Sequence, residues 1–184
     1  DNPNDETPQA SATDNVVILT GRTVTVHTDS LENANLTVEG RLDLQGTKGH
    51  SFSAINGTGR ILLSSDHFPS GDASHFISKG EGEGTVEYYG NSFALDSSRT
   101  FYNVEMNLSS SSESLTLASD YNVNGNLTLT EGNLQINDDS TARRTLKVAG
   151  DVSVSDMAGI SVGPGKAFSL QTDYGNYHKS FHVF

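Results

Sequence analysis

Val38-Glu39-Gly40-Arg41-Leu42-Asp43-Leu44 returns as Val123-Asn124-Gly125-Asn126-Leu127-Thr128-Leu129, and again as Val148-Ala149-Gly150-Asp151-Val152-Ser153-Val154. The shared form is Val-x-Gly-x-apolar-x-apolar, an alternation that puts the apolar residues on one face of a strand. Weaker copies begin at Gly21, Gly59 and Gly84, and Asn103 takes the equivalent place in Tyr102-Asn103-Val104-Glu105-Met106. The anchors 21, 40, 59, 84, 103, 125 and 150 are 19, 19, 25, 19, 22 and 25 residues apart. A unit of that length cannot bury its own apolar face, whereas stacked units can. The expectation is an all-β chain wound as a right-handed parallel β-helix (β-solenoid) of about seven to eight rungs, ~35–40 Å long at the ~4.8 Å spacing of paired strands. A β-sandwich is the alternative, because it also shows many short strands. It does not call for a heptad that recurs at this interval.

Outward from the repeat, the same period of two continues. Val24/Val26, Leu36/Val38, Val104/Met106/Leu108, Leu115/Leu117, Leu134/Ile136 and Ile160/Val162 each alternate with other residues. No window carries the i, i+3, i+4, i+7 stripe of an amphipathic helix. Residues 1–15 hold no large apolar side chain and read as a mobile tail or linker, leaving 16–184 as the solenoid domain. The chain ends inside an apolar pattern at Phe181-His182-Val183-Phe184, so it reads as a fragment that continues beyond 184.

Asn, Ser, Thr and Gly together make 74 of the 184 residues, a usage that favours short strands and tight turns. Eleven Lys and Arg against 23 Asp and Glu leave a formal charge of −12. Such a surface repels phosphate backbones and anionic lipid, so neither nucleic acid nor a membrane surface is an expected partner. No apolar run is long enough to cross a bilayer. The absence of cysteine removes thiol catalysis, zinc–cysteine sites and iron–sulfur clusters together, and is compatible with export.

Three stretches bear a resemblance in their order: Gly84-Thr85-Val86-Glu87-Tyr88-Tyr89-Gly90, then Thr100-Phe101-Tyr102-Asn103-Val104-Glu105-Met106-Asn107-Leu108, then Asp120-Tyr121-Asn122-Val123-Asn124-Gly125-Asn126-Leu127-Thr128-Leu129. They resemble repeat regions of large Bacteroidota surface adhesins, filamentous-haemagglutinin-like proteins exported by type IX secretion. Phe68-Pro69-Ser70-Gly71-Asp72, with Phe76 after it, is similar to a recurring element there. The resemblance covers roughly residues 35–165 and implies adhesion and a place on the cell surface. The implied partners are neighbouring domains of the same polypeptide, with surface glycans or another protein as further contacts. No catalytic residue pattern comes with it.

Candidate sites follow from residue chemistry. Tyr88, Tyr89, Phe93 and Tyr102 crowd into a short span with Phe101, and exposed rings of this kind stack on sugars or proteins. The competing reading puts Tyr88 and Phe101 in the core. Asp66, His67, Asp72 and His75 join histidine to carboxylate, a set that suits zinc or nickel, although the spacing matches no known ligand motif. Otherwise this stretch is a side loop with Phe68 and Phe76 tucked onto the wall. Calcium is the cation that Glu81, Glu83 and Glu87, or Asp138 and Asp139, or Asp151 and Asp156 would take, against a plain solvated charged face. Apart from that cation no cofactor is expected. Asp29-Ser30-Leu31 and Asp139-Ser140-Thr141 resemble the O-glycan acceptor pattern of Bacteroidota, which makes Ser30 and Ser140 candidate modification sites.

Parallel β-helices also host polysaccharide lyases and hydrolases, so a carbohydrate-active enzyme is the alternative function. Asp43, Glu87, Glu105 and Asp151 occupy outward strand positions where acid–base pairs would form. There is no Gly-x-Ser-x-Gly elbow, and basic residues are few. The sequence therefore favours a non-enzymatic structural and display module.

Overall fold

The computed structural model describes residues 13–136, 144–162 and 170–172. The chain winds through short strands in a fixed order. The first three rungs supply two strands each: β1 (Asn15–Ile18) and β2 (Thr23–Thr25), β3 (Glu32–Val38) and β4 (Arg41–Asp43), β5 (Ser51–Asn56) and β6 (Arg60–Leu63). The fourth has β7 (Ser70–Asp72), the one-turn helix α1 (Ser74–Ile77), β8 (Thr85–Gly90) and β9 (Phe93–Leu95). Then come β10 (Arg99–Phe101), β11 (Asn103–Leu108) and β12 (Ser114–Leu117), followed by β13 (Tyr121–Val123) and the ten-residue β14 (Leu127–Ile136). The last are β15 (Leu146–Val148), β16 (Val152–Val154), β17 (Ala158–Val162) and β18 (Leu170–Thr172).

Every strand pairing among the described residues is parallel. That excludes the antiparallel sandwich and gives a parallel β-solenoid of about six turns. The long wall stacks β2, β4, β6, β8, β11, the first half of β14 and β16. Seven strands there mean seven rungs, with about six full turns between first and last. A first wall holds β1, β3, β5 and β7; a third holds β9, β12, the second half of β14 and β17; a fourth holds β10, β13, β15 and β18. β14 serves two walls because Gly132, at φ 101°, turns the corner inside it. The ordered wall opens at Asn15, one residue before the expected start, and Asn35 Nδ2 donates to Asn15 Oδ1 at 2.7 Å.

Inward columns make one continuous core. On the long wall, Leu42, Ile61, Val86, Val104 and Leu127 stack in register, beside Leu44, Leu63, Tyr88, Met106 and Leu129. The anchor glycines form a third column at the corner, because the chain passes there too close for a side chain. A Cβ on Gly40 would strike the Arg22 and Leu19 carbonyls, one on Gly59 the Gly40 carbonyl, and one on Gly150 the Gly125 carbonyl. Register corrects two anchors by one residue. The ladder places Arg22, not Gly21, under Gly40, and Tyr102, not Asn103, between Gly84 and Gly125. Gly21 serves a turn at φ 75°, and Asn103 belongs to the neighbouring column.

The cross-section changes at the fourth rung. In the first three rungs the third side is irregular chain, residues 26–31, 44–50 and 64–69. It still bonds rung to rung, with Ser30 N donating to Lys48 O and Ser70 N to His50 O. From β9 onward that side becomes a regular wall. In chain order the fourth wall takes the place of the first, with α1 packed against β5 and β10 at the handover. Phe93 therefore heads the column Phe93–Leu115–Leu134–Ile160, and Arg99 heads the column Arg99–Tyr121–Leu146.

Candidate functional site

Two surfaces gather chemistry: the outer face of the long wall, and a cleft at the change in cross-section. On the long wall the outward row runs Thr25, Asp43, Leu62, Glu87, Glu105, Thr128 and Ser153. The row beside it carries Arg41 and Arg60 in register. Arg41 Nη2 reaches Glu87 Oε2 at 3.1 Å, and Arg60 Nη1 reaches the same oxygen at 2.9 Å. Arg60 also pairs with Glu105, whose other oxygen accepts from Thr130 Oγ1 at 3.1 Å. Asn107 Nδ2 donates to Glu87 Oε1 at 3.4 Å. The result is a ladder of charge-assisted bonds running along the solenoid axis through five rungs. Glu87 is only 4% exposed although it points outward. Burial opposes the Arg60 charge, but the Glu105 and Glu87 carboxylates more than offset that and hold its pKa above the ordinary value.

This ladder contains two of the four outward carboxylates expected from the sequence, Glu87 and Glu105, and Asp43 stands in the same outward row without joining it. Asp43 accepts from the Tyr89 hydroxyl at 2.7 Å. Burial, then that carboxylate, raises the Tyr89 phenol. Asp151 lies apart, in the row of Asn103 and Asn126. There the Asn126 N–H donates to Asn103 Oδ1 at 3.0 Å and the Asp151 N–H to Asn126 Oδ1 at 2.9 Å, so each amide caps the next rung's backbone.

The cleft has a volume of about 570 Å³. One side is the loop 64–70 that closes the third rung, and the other is the segment 93–99 that opens the regular third and fourth walls. Asp66 ties them together. Its Oδ2 accepts from the Asp96 and Ser97 N–H groups at 3.0 and 3.1 Å, and its carbonyl accepts from Arg99 Nη2 at 3.0 Å. Arg99 Nε also stands 3.7 Å from Asp66 Oδ1, and neither of these two buried atoms has a hydrogen-bond partner. Behind them the Tyr88 and Tyr121 hydroxyls bond to each other at 2.8 Å, with both phenols pushed up by burial. His50, at the cleft edge, is 3% exposed. Its Nδ1 accepts from the Leu31 N–H at 3.2 Å, which assigns the proton to Nε2, 2.9 Å from Thr47 Oγ1. Burial lowers the His50 pKa, and Asp29 offsets part of that.

The four candidate aromatics do not form one patch. Tyr88 is 1% exposed and belongs to the core, which removes it as a binding residue. Tyr89 lies on the long wall and Tyr102 at its corner, where burial and the Glu83 carboxylate raise its phenol. Phe93 is half-buried, packs against Tyr88 with centroids 5.9 Å apart, and lines the cleft.

The candidate metal residues are divided as well. Asp66 and His67 line the cleft, whereas Asp72 and His75 flank and enter α1. Asp72 Oδ1 accepts from the Ser74 N–H at 3.1 Å, and His75 Nδ1 from the Gly57 N–H at 3.1 Å. Among the described residues no three His, Asp or Glu side chains converge as metal ligands.

Of the calcium candidates, Glu81 and Glu83 are exposed on a turn while Glu87 is committed to the ladder. Asp151 and Asp156 are exposed on the last rung, and Asp138 and Asp139 lie outside the described residues. Ser30 is exposed at φ 62°; Ser140 lies outside the described residues.

The cleft and the role of Arg99 are what sequence reasoning missed. Their traces are the jump in anchor spacing from 19 to 25 residues after Gly59 and the separate candidacies of Asp66, His67 and Phe93, which no sequence argument joined. The chain matches no family model, and comparisons with curated proteins and with solved structures return no match.

Proposed function

We propose that this chain is a structural and display module of an exported bacterial surface adhesin: a stiff rod that carries a recognition surface away from its attachment. The observation that carries the reading is the axial ladder from Arg41 through Glu87 and Arg60 to Glu105 and Thr130. Each of its bonds crosses from one rung to another, in parallel with the backbone ladders. Side chains that a catalytic wall would leave free for substrate are here tied to their neighbours. Glu87, at 4% exposure beneath two guanidinium groups, is poorly placed as an acid or base, which favours this reading over a polysaccharide lyase or hydrolase.

The test is peptide mapping of protein shaved by protease from intact producing cells. Peptides of this chain released from the surface, within a polypeptide far larger than 19.6 kDa, are the expected result. Their recovery only from lysed cells overturns the surface assignment. Release of reducing ends or unsaturated products from acidic or neutral polysaccharides, lost in Glu105→Gln, overturns the structural one.

A further inference from the structure

We propose that the cleft between the loop 64–70 and the segment 93–99 is a binding site for a short neutral oligosaccharide. This rests on the recognition half of the proposed function, but not on the surface location. At about 570 Å³ the cleft falls within the size range of small-ligand sites, roughly 300–1,000 Å³. Its lining joins two kinds of surface that sugars need together. Phe68 and Phe93 place half-buried aromatic side chains in the lining, apolar surface for the C–H side of a pyranose. Ser65, Ser97, Asp96 and His67 offer hydroxyl, carboxylate and imidazole groups for its hydroxyls.

Charge selects within the carbohydrates. Asp66 is matched by Arg99, which leaves Asp96 as the surplus charge of the lining, on a chain of formal charge −12. A uronate or sulfated chain is repelled there, and a neutral one is not. The site is also held in shape before any ligand arrives. Asp66 clamps both walls through backbone N–H groups, and Phe68 is braced on Phe101 with ring centroids 4.7 Å apart. Little ordering cost remains for binding to meet. The other surfaces carry less. The long-wall ladder satisfies its own groups, and nothing in the structure shows what covers the open end at Val24.

The experiment is an NMR titration of the ¹⁵N-labelled chain with maltotriose, cellotriose, mannotriose and chitotriose, and with trigalacturonate as the anionic control. The expected result is saturable shifts from at least one neutral trisaccharide, confined to amides of residues 49–50, 64–70 and 93–99. His67→Ala and Asp96→Ala, both at exposed positions, should each weaken that binding about tenfold while the melting temperature stays within the small range of surface substitutions. The proposal is overturned by no saturable shift with any neutral probe up to about 10 mM, by shifts that map to another surface, or by trigalacturonate binding as tightly as the best neutral probe. Unchanged affinity in both variants does the same. None of these outcomes bears on whether the chain reaches the cell surface, so a failure here is separable from a failure of the display reading.

Discussion

Gly40 and Gly59 are needed for closeness rather than for an unusual backbone angle. Each sits where a Cβ would meet the carbonyl of the rung below, and relief would require separating two paired strands. Gly40→Ala and Gly59→Ala should each cost about 1–3 kcal/mol in urea unfolding, in the manner of an overpacked core. Gly46→Ala is the control. Its nearest neighbour would be Ser64 Oγ at 3.7 Å, and its cost should stay within about 0.5 kcal/mol. His50 sets a pH dependence of definite sign. The folded chain holds it neutral, with a lowered pKa, while the unfolded chain takes up a proton as pH falls through about 6.5. Stability from this site is therefore full above the unfolded value and declines below it, levelling off once pH passes the folded value. Urea midpoints at about pH 7.5 and 5 should differ less in His50→Gln than in the parent, because that variant has no proton to take up there.

At the scale of elements, the stacking of β4, β6, β8, β11 and β14 turns residues distant in sequence into neighbours. Glu87 and Arg41 are 46 positions apart and meet only because β4, β6 and β8 stack in register, with the single rung of β6 between them. Glu87→Gln leaves two guanidinium groups without their shared carboxylate. The arginines keep partial access to water, so the expected loss in denaturant unfolding is about 1–2 kcal/mol, below that of a fully buried pair. The strands themselves were readable in advance, since Val-x-Gly-x-apolar-x-apolar states both the inward face and the corner. The outward positions of Asp43, Glu87 and Glu105 were readable too. Their pairing was not, because it depends on register between rungs of unequal length. Gly21 and Asn103 show how one residue of slippage hides in such a repeat. Both are natural corner residues, and only the ladder bonds reveal that Arg22 and Tyr102 hold the stacked position. The cleft was legible only as an irregular interval and as the unconnected candidates Asp66, His67 and Phe93, since its walls come from three separate segments.

At the scale of the whole molecule, stability is a chain of neighbour contacts, and among the described residues β2 ends the long wall. Val24 lies in an inward column yet is 45% exposed, because among the described residues β2 pairs with β4 alone. Opening should start there. Hydrogen exchange should be fastest in β1 and β2 and slowest in β8 and β11, which have partners on both sides. Uniform protection across all walls would contradict the nearest-neighbour account. The step in cross-section at the fourth rung has a consequence for reach. The cleft sits at a fixed count of rungs from the first and the last strand of the described long wall. Inserting or deleting a regular rung on one side would move that point by about 4.8 Å and leave its lining untouched. Distance along the solenoid is thereby set in whole increments, as notches on a rule.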